Sequence, residues 1–267
     1  MQEYNELQKA HYSRQYSGFE KIKPPEEEDL FGWCKWYPLV FLDDFFSTLS
    51  QQTFLVTCCG AGRELYLFHK HNIVVTATDL TIEHLEPLYR DGMINKAEIQ
   101  DAQKLTFGDE SFDYGFINAG LHHLQYPHAG LTELLRCSRK GVIFIESQDS
   151  PLHAITRRLG RNADFEPAGN YVYRWKRREV EKICLSAHLH SFAIKTVFLP
   201  IIHNAMAGCE GTRMRAFKLL LRCTNWIFAP IGNLFIAILF KQAPTEEQNT
   251  YLVNRGYKYK RALGLSK

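Results

Sequence analysis

LVTCCGAGRELYLFHKHNIVVTATDL, residues 55–80, passes twice from an apolar run into a different kind of segment. The first run is β-branched and ends in TCC. Gly60 and Gly62 then open a helix-like stretch, RELYLFHKH, and NIVVTATD is a second strand-like run that ends on Asp79. Glycines allow a tight turn and a close backbone approach to a ligand. The helix N-terminus behind them offers unpaired N–H groups to an anionic group. An ordinary strand-to-helix turn reads the same way, so the two glycines alone do not decide between a turn and a nucleotide site.

Working outward, the alternation continues. IEHLEPLYRDG reads as helix, AEIQDA as a weaker strand, SFDYGFINAG as a fourth strand, AGLTELLRCSRK as helix and GVIFIES as a fifth strand. Strands separated by helices argue for an α/β fold, a doubly wound and mostly parallel sheet covered on both faces. SFAIKTVFL and NLFIAILFK are two further strands, with the helix TRMRAFKLLLRCTNWIF between them.

Residues 1–50 read as a helical cap or lid, with a break at KPPEEED and a helix interrupted near Pro38. Residues 51–267 form the main domain, with a polar and aromatic insertion at about 150–190. The basic end, KYKRALGLSK, reads as loosely held.

Length and charge bound the function classes. The chain has 267 residues and a formal charge of +3, enough for a large core and too balanced to require nucleic acid. The seven cysteines are irregularly spaced without a C-x-x-C pair, which argues against a zinc ribbon or redox motif and fits reduced thiols in a cytoplasmic protein. No metal site is expected. CTNWIFAPIGNLFIAILF, residues 223–240, lacks charges but is interrupted by Asn225, Pro230, Gly232 and Asn233. It reads more readily as helix, turn and buried strand than as a membrane span.

Asp79 follows Gly62 by seventeen residues, near the offset at which a carboxylate holds ribose hydroxyls in nucleotide-binding sheets. A helix cap is the alternative reading of such an Asp. Asp101 ends the next strand. A glycine turn and two carboxylates would thus share one edge of the sheet, where open parallel sheets bind ligands.

LVTCCGAGREL, VVTATDL, IQDAQKLTFGDESFDYGFINAGLHHL and GVIFIES, in that order, resemble the class I S-adenosylmethionine-dependent methyltransferases. The nearest likeness is to a small-molecule subgroup that includes quinone-biosynthesis enzymes. The resemblance implies a seven-stranded sheet whose last strand is antiparallel, with S-adenosyl-L-methionine as cofactor. It places Cys58, Gly60 and Gly62 in the cofactor turn, Asp79 on the ribose hydroxyls and Leu80 on adenine. Asp101 and Ala102 would meet the adenine edge, and Asn118 and Ala119 the cofactor ammonium. Two departures stand out: Cys58 replaces a glycine, and Val56 replaces an acid that orients the methionine end.

Methyl transfer to a hydroxyl needs alignment and a proton acceptor. His122, in the His-His pair after the fourth strand, is the favoured base; the pair could equally shape its loop. His128 and His153 are further candidates, and Glu146 could bind substrate or cap its strand. Tyr12, Tyr16 and Phe19 have helical spacing that suits a lid or packing on the sheet. Tyr171 and Arg174, in EPAGNYVYRWKRREVEKI, could stack on a sugar and hold an anion; a solvated basic helix start is the alternative. That segment also resembles methyltransferases associated with bacterial polysaccharide clusters. The expected activity is O-methylation of a sugar or glycan-linked hydroxyl. A lipid quinone or other membrane-proximal acceptor, with peripheral membrane contact, is the alternative, and a non-catalytic binding subunit is a third reading.

Overall fold

The computed structural model describes residues 2–16, 22–158, 164–199 and 209–261; Phe19 lies outside them. Most strands of the first half are apolar runs that end on a polar or glycine turn, while the third, KAEI, is mixed. The strands are β1 (Thr53–Val56), β2 (Val74–Asp79), β3 (Lys96–Ile99), β4 (Phe112–Asn118) and β5 (Ser138–Ser147). They pair in parallel, as crossover helices require. The later strands are β6 (Ser191–Val197), β7 (Leu234–Phe240) and β8 (Lys258–Arg261).

The sheet order is β3-β2-β1-β4-β5-β7-β6-β8. β7 runs antiparallel between β5 and β6. The sequence 223–240 is therefore a helix end, a short turn at Ala229–Ile231 and a buried strand. The sheet has eight strands rather than the expected seven, because β8 pairs antiparallel with β6. Its sequence, KYKR, looks like a solvated tail. Backbone pairing does not depend on apolar side chains, and lysines are common on a sheet edge, where they discourage further pairing.

Neighbouring residues of β1 feed opposite cores. Phe54 and Val56 join one cluster and Leu55 the other, as the period of two in a strand demands. The first face is covered by α2 (Leu30–Val40), α3 (Asp43–Ser47), α4 (Arg63–Lys70) and α5 (Glu86–Arg90). The other is covered by α6 (Pro127–Cys137) and α8 (Arg177–Ser186), with α7 (Pro151–Arg158) between them in the chain. α9 (Gly211–Phe228) and α10 (Glu246–Asn254) complete the first face.

Among the described residues, α1 (Gln2–Gln15) lines the crevice at the sheet edge along most of its length, and α2 adds Phe31, Cys34, Lys35 and Pro38. α2 and α3 bury Trp36, Phe45 and Phe46 completely in the core. Pro38 lies inside α2, which ends only after Val40. β1 and β4 are adjacent, yet the chain leaves them in opposite directions across the sheet. The loops after them diverge and leave a crevice, the switch point at which such sheets hold ligands.

Candidate active site

The loop after β1 takes three left-handed residues, Cys58 (φ 49°), Gly60 (φ 50°) and Gly62 (φ 63°). Gly62 is the residue that caps α4. A Cβ at Gly60 would sit 2.8 Å from the Tyr16 hydroxyl, so the turn has room only for glycine unless Tyr16 shifts. Cys58 keeps the backbone conformation that the missing glycine would adopt freely, at the cost of strain.

The Gly60 N–H donates to Asp79 Oδ2 at 2.9 Å and the Leu80 N–H to Asp79 Oδ1 at 2.7 Å. Burial pushes the Asp79 carboxyl above its ordinary pKa, opposed by His84 and the surrounding N–H groups. His84 Nε2 is 3.8 Å away and has no hydrogen-bond partner among the described residues. Asp101 Oδ1 accepts from the Gln103 N–H at 2.9 Å, and its Oδ2 from the Asn5 side-chain amide at 2.8 Å. That second bond ties α1 to the rim.

Asn118 Nδ2 lies 3.4 Å from Glu64 Oε2. Burial raises the Glu64 pKa to about 7. An acid therefore reaches the crevice beside Asn118 from the first turn of α4, although the strand position Val56 supplies none.

These groups line one cavity of about 650 Å³, within the usual size range for small-molecule sites. Its lining includes the polar residues Gln8, His11, Tyr12, His123 and Glu166 and the apolar residues Phe31, Pro38, Leu199 and Leu234.

The His-His pair divides in two. His122 is buried, with Nδ1 2.8 Å from Glu146 Oε2 and Nε2 3.6 Å from Glu166 Oε1. Burial alone would lower its pKa, but the two carboxylates outweigh that and raise it to about 10. His123 faces the cavity, with Nδ1 3.2 Å from Glu166 Oε2 and 3.0 Å from the Tyr12 hydroxyl. Burial, reinforced by the neighbouring His122 charge, lowers its pKa to about 4. His122, His123 and Glu166 bring ligand-type atoms within 4.8 Å of one another.

A methyltransferase-domain family model matches residues 55–145, the span that carries the glycine turn, both rim carboxylates and the His-His pair. Residues 55–145 thus carry a methyltransferase domain, with the S-adenosylmethionine-dependent activity that the resemblance implied. No curated protein sequence matches it.

Solved methyltransferases share the fold. Magnesium protoporphyrin IX methyltransferase from Synechocystis PCC 6803, with bound SAH, superposes with a TM-score of 0.57 at 13% identity, covering 88% of this chain and 98% of that one. The methyltransferase in a Haloferax volcanii complex with the Trm112 methyltransferase activator gives 0.55 at 13% identity, covering 90% and 98%. A SAM-dependent methyltransferase from Thermotoga maritima gives 0.54 at 14% identity, covering 87% and 99%.

In this methyltransferase Cys58, Gly60, Gly62, Asp79, Leu80, Asp101, Ala102, Asn118 and Ala119 all line the one cavity, as do Tyr12 and Tyr16. His122 does not. It is buried between Glu146 and Glu166, whose charges favour its protonated form, which weighs against the reading of His122 as the base. Glu146 is engaged with His122 and the Leu121 N–H rather than standing free.

His153, Tyr171 and Arg174 are placed elsewhere, in a second cavity of about 470 Å³ beside α7 and α8. His128 is paired with Glu179 at 2.9 Å. The sequence reading passed over Glu64, His84 and Glu166. Glu64 stands two residues after Gly62, so the motif itself pointed to it. Glu166 comes from a loop distant in sequence, and no local pattern marked it.

Proposed function

We propose that this methyltransferase transfers a methyl group to a hydroxyl of a polyhydroxylated small acceptor, a sugar or glycan-linked group, with His123 as proton acceptor. The observation that carries the reading is one cavity that combines the Gly60, Asp79 and Asp101 rim with His123, whose pKa burial lowers. S-adenosylmethionine supplies the activated methyl when bound, and the transfer is an in-line substitution governed by alignment.

The chain's residues fit that cofactor. The Gly60 turn would let the backbone come close, and Asp79 would accept from the ribose hydroxyls while Leu80 would pack on adenine. Asp101 and Ala102 would meet the adenine edge. Asn118, Ala119 and the Glu64 carboxylate would receive the ammonium end. α1 serves as the lid, with Tyr12 and Tyr16 on its inner side. His123 is neutral at physiological pH and faces the cavity, and Glu166 orients it. His122 is a positioning residue, since its ion pair with Glu146 holds the loop that carries His123. The polar lining residues suit hydroxyl-rich acceptors.

The apolar lining residues Phe31, Pro38, Leu199 and Leu234 favour a second reading, a lipid quinone or other membrane-proximal acceptor. A tritiated-methyl transfer screen over nucleotide sugars, quinone precursors and tRNA tests both. Label in the sugars supports the first reading, and label confined to quinone precursors replaces it with the second. Cofactor binding without transfer to any of them returns the chain to the class of binding subunits.

A further inference from the structure

α9 and the turn after it turn an apolar surface toward solvent. The helix buries only Met214, Leu221 and Asn225, at spacings of seven and four that define a single stripe. On the opposite side Leu219, Leu220 and Ile227 are more than half exposed, and Trp226 is 87% exposed. Phe228 and Ile231 extend the patch. At 100° per residue, Arg215 and Arg222 fall along one border of this outer stripe and Arg213 along the other. No acidic residue occurs from Gly211 to Ile231.

An apolar stripe bordered by arginines, with a tryptophan at its edge, is the pattern of a helix that lies in a membrane interface. Arginine stems cover apolar surface while their heads reach phosphates. No helix among the described residues is long and apolar enough to cross a membrane, so the pattern is one of lying on the bilayer rather than spanning it.

We propose that α9 docks this protein on an anionic lipid surface, with Leu219, Leu220, Trp226 and Ile227 among the upper acyl chains and the flanking arginines on lipid phosphates. The charge complementarity selects lipid over a neutral partner. The side of α9 away from the docked face rests on an element that lines the cavity. Lys218 Nζ lies 4.6 Å over the Trp33 ring, and Asn225 donates to the Tyr37 hydroxyl at 2.9 Å. Both contacts seat α9 on α2, which contributes Phe31 and Pro38 to the cavity lining. Resting on the methyltransferase reading above, docking together with the apolar residues in the cavity lining favours an amphiphilic acceptor, a hydroxyl-bearing head on an apolar anchor.

Co-sedimentation with phosphatidylcholine vesicles, with and without phosphatidylglycerol, tests the docking. Binding is expected only with the anionic lipid and weakens as salt rises. Trp33, Trp36 and Trp175 are buried, so a blue shift of tryptophan fluorescence on vesicle addition reports Trp226. Trp226→Phe removes the shift and keeps sedimentation. Leu220→Glu with Ile227→Glu, both at exposed positions, lowers vesicle partitioning by at least roughly tenfold. Retained cofactor binding by that variant shows it is folded.

The proposal is overturned if the folded wild-type protein fails to sediment with anionic vesicles, or if the double variant binds them equally well. It is also overturned if sedimentation velocity shows a dimer that the double variant dissociates while vesicles remain unbound, because the face then joins two copies of the chain. Vesicle binding needs neither cofactor nor acceptor. Failure of the transfer screen therefore leaves it standing, and failure of docking leaves transfer to soluble sugars untouched.

Discussion

The cavity of about 650 Å³ is walled mainly by residues that end strands or open helices; the cavity of about 470 Å³ is walled by side chains of α7, α8 and the loop between them. In the first, the backbone sets the geometry. Gly60 N–H meets Asp79 because β1 and β2 are paired in register, from Thr53 opposite Val74 to Val56 opposite Ala77. In the second, long side chains hold one another. Arg174 pairs with Asp164 at 3.2 Å, His153 Nδ1 lies 2.6 Å from the Gln148 carbonyl, and the Tyr171 ring packs 5.6 Å from Phe165. A sheet edge fixes its groups before any ligand arrives. A basic loop cluster fixes little beyond its own shape.

The largest expected effect tests the division within the first cavity. His123→Ala lowers kcat by about 10²- to 10⁴-fold, the usual contribution of a positioned acid or base, and leaves cofactor affinity and melting behaviour close to wild type. His122→Ala acts on the fold instead. It strands the buried Glu146 carboxylate, and losing one partner of a buried pair costs about 3–5 kcal/mol. The pH dependence has a definite sign. The His122 pKa is raised in the folded state, so the pair's stabilisation is complete below its ordinary value and fades as pH rises through about 10. Chemical denaturation across pH measures this, alongside single-turnover kinetics for His123→Ala. A His122 variant of normal stability and no activity would reverse the two roles.

Legibility in the sequence followed the same division. The strands around residues 55–145 announced themselves as apolar runs that ended on glycine or Asp, and their ends converge as those positions implied. β8 did not announce itself, since KYKR carries no apolar signal and its pairing is made by the backbone of β6. His122 and His123 are adjacent in sequence and opposite in chemistry. The difference comes from Glu146 and Glu166, which lie 24 and 44 residues further along the chain. Burial and long-range partners decide which histidine is charged, and neither is written in the pair itself. The second cavity's residues were grouped with the acceptor site because aromatic and basic residues clustered in sequence, but that cluster folds onto α7 and α8.

Glu64→Gln sharpens the picture of the cofactor end and has two effects of opposite sign. The folded-state pKa of Glu64 is raised to about 7, so ionising it costs the protein stability. The cost grows from the ordinary carboxylate pKa up to about pH 7 and is constant above. Removing the charge stabilises the cofactor-free protein at pH 8 by up to about 3 kcal/mol. Cofactor affinity falls in the same variant, because the ammonium end loses its carboxylate. In the wild type, affinity climbs as pH rises through about 7, while the variant's profile is flat across that range. Calorimetric titration at several pH values reads both. A flat wild-type profile would remove Glu64 from the ammonium site.

Asp79→Ala comes next, with a loss of about 1–3 kcal/mol in cofactor binding, the range for hydrogen bonds to a charged group. Competition by the demethylated product should weaken in parallel, since both carry the same ribose. Unchanged affinity for both would move the ribose away from this carboxylate and undo the assignment of the rim.

Arg174→Ala should have the smallest effect, and it tests whether the two cavities are separate. Its partner Asp164 is partly exposed, so the pair contributes about 0–1 kcal/mol to stability. If the basic cavity stands apart from the cofactor rim, the variant binds cofactor as wild type does, within about 0.5 kcal/mol. A change in KM for an acceptor bearing phosphate or carboxylate, at constant kcat, would show that the second cavity holds a remote part of that acceptor and contributes uniform binding. A drop in cofactor affinity would instead show that loop 164–176 and the rim form one unit. The coupling would run through Glu166, which sits in that loop and touches both histidines.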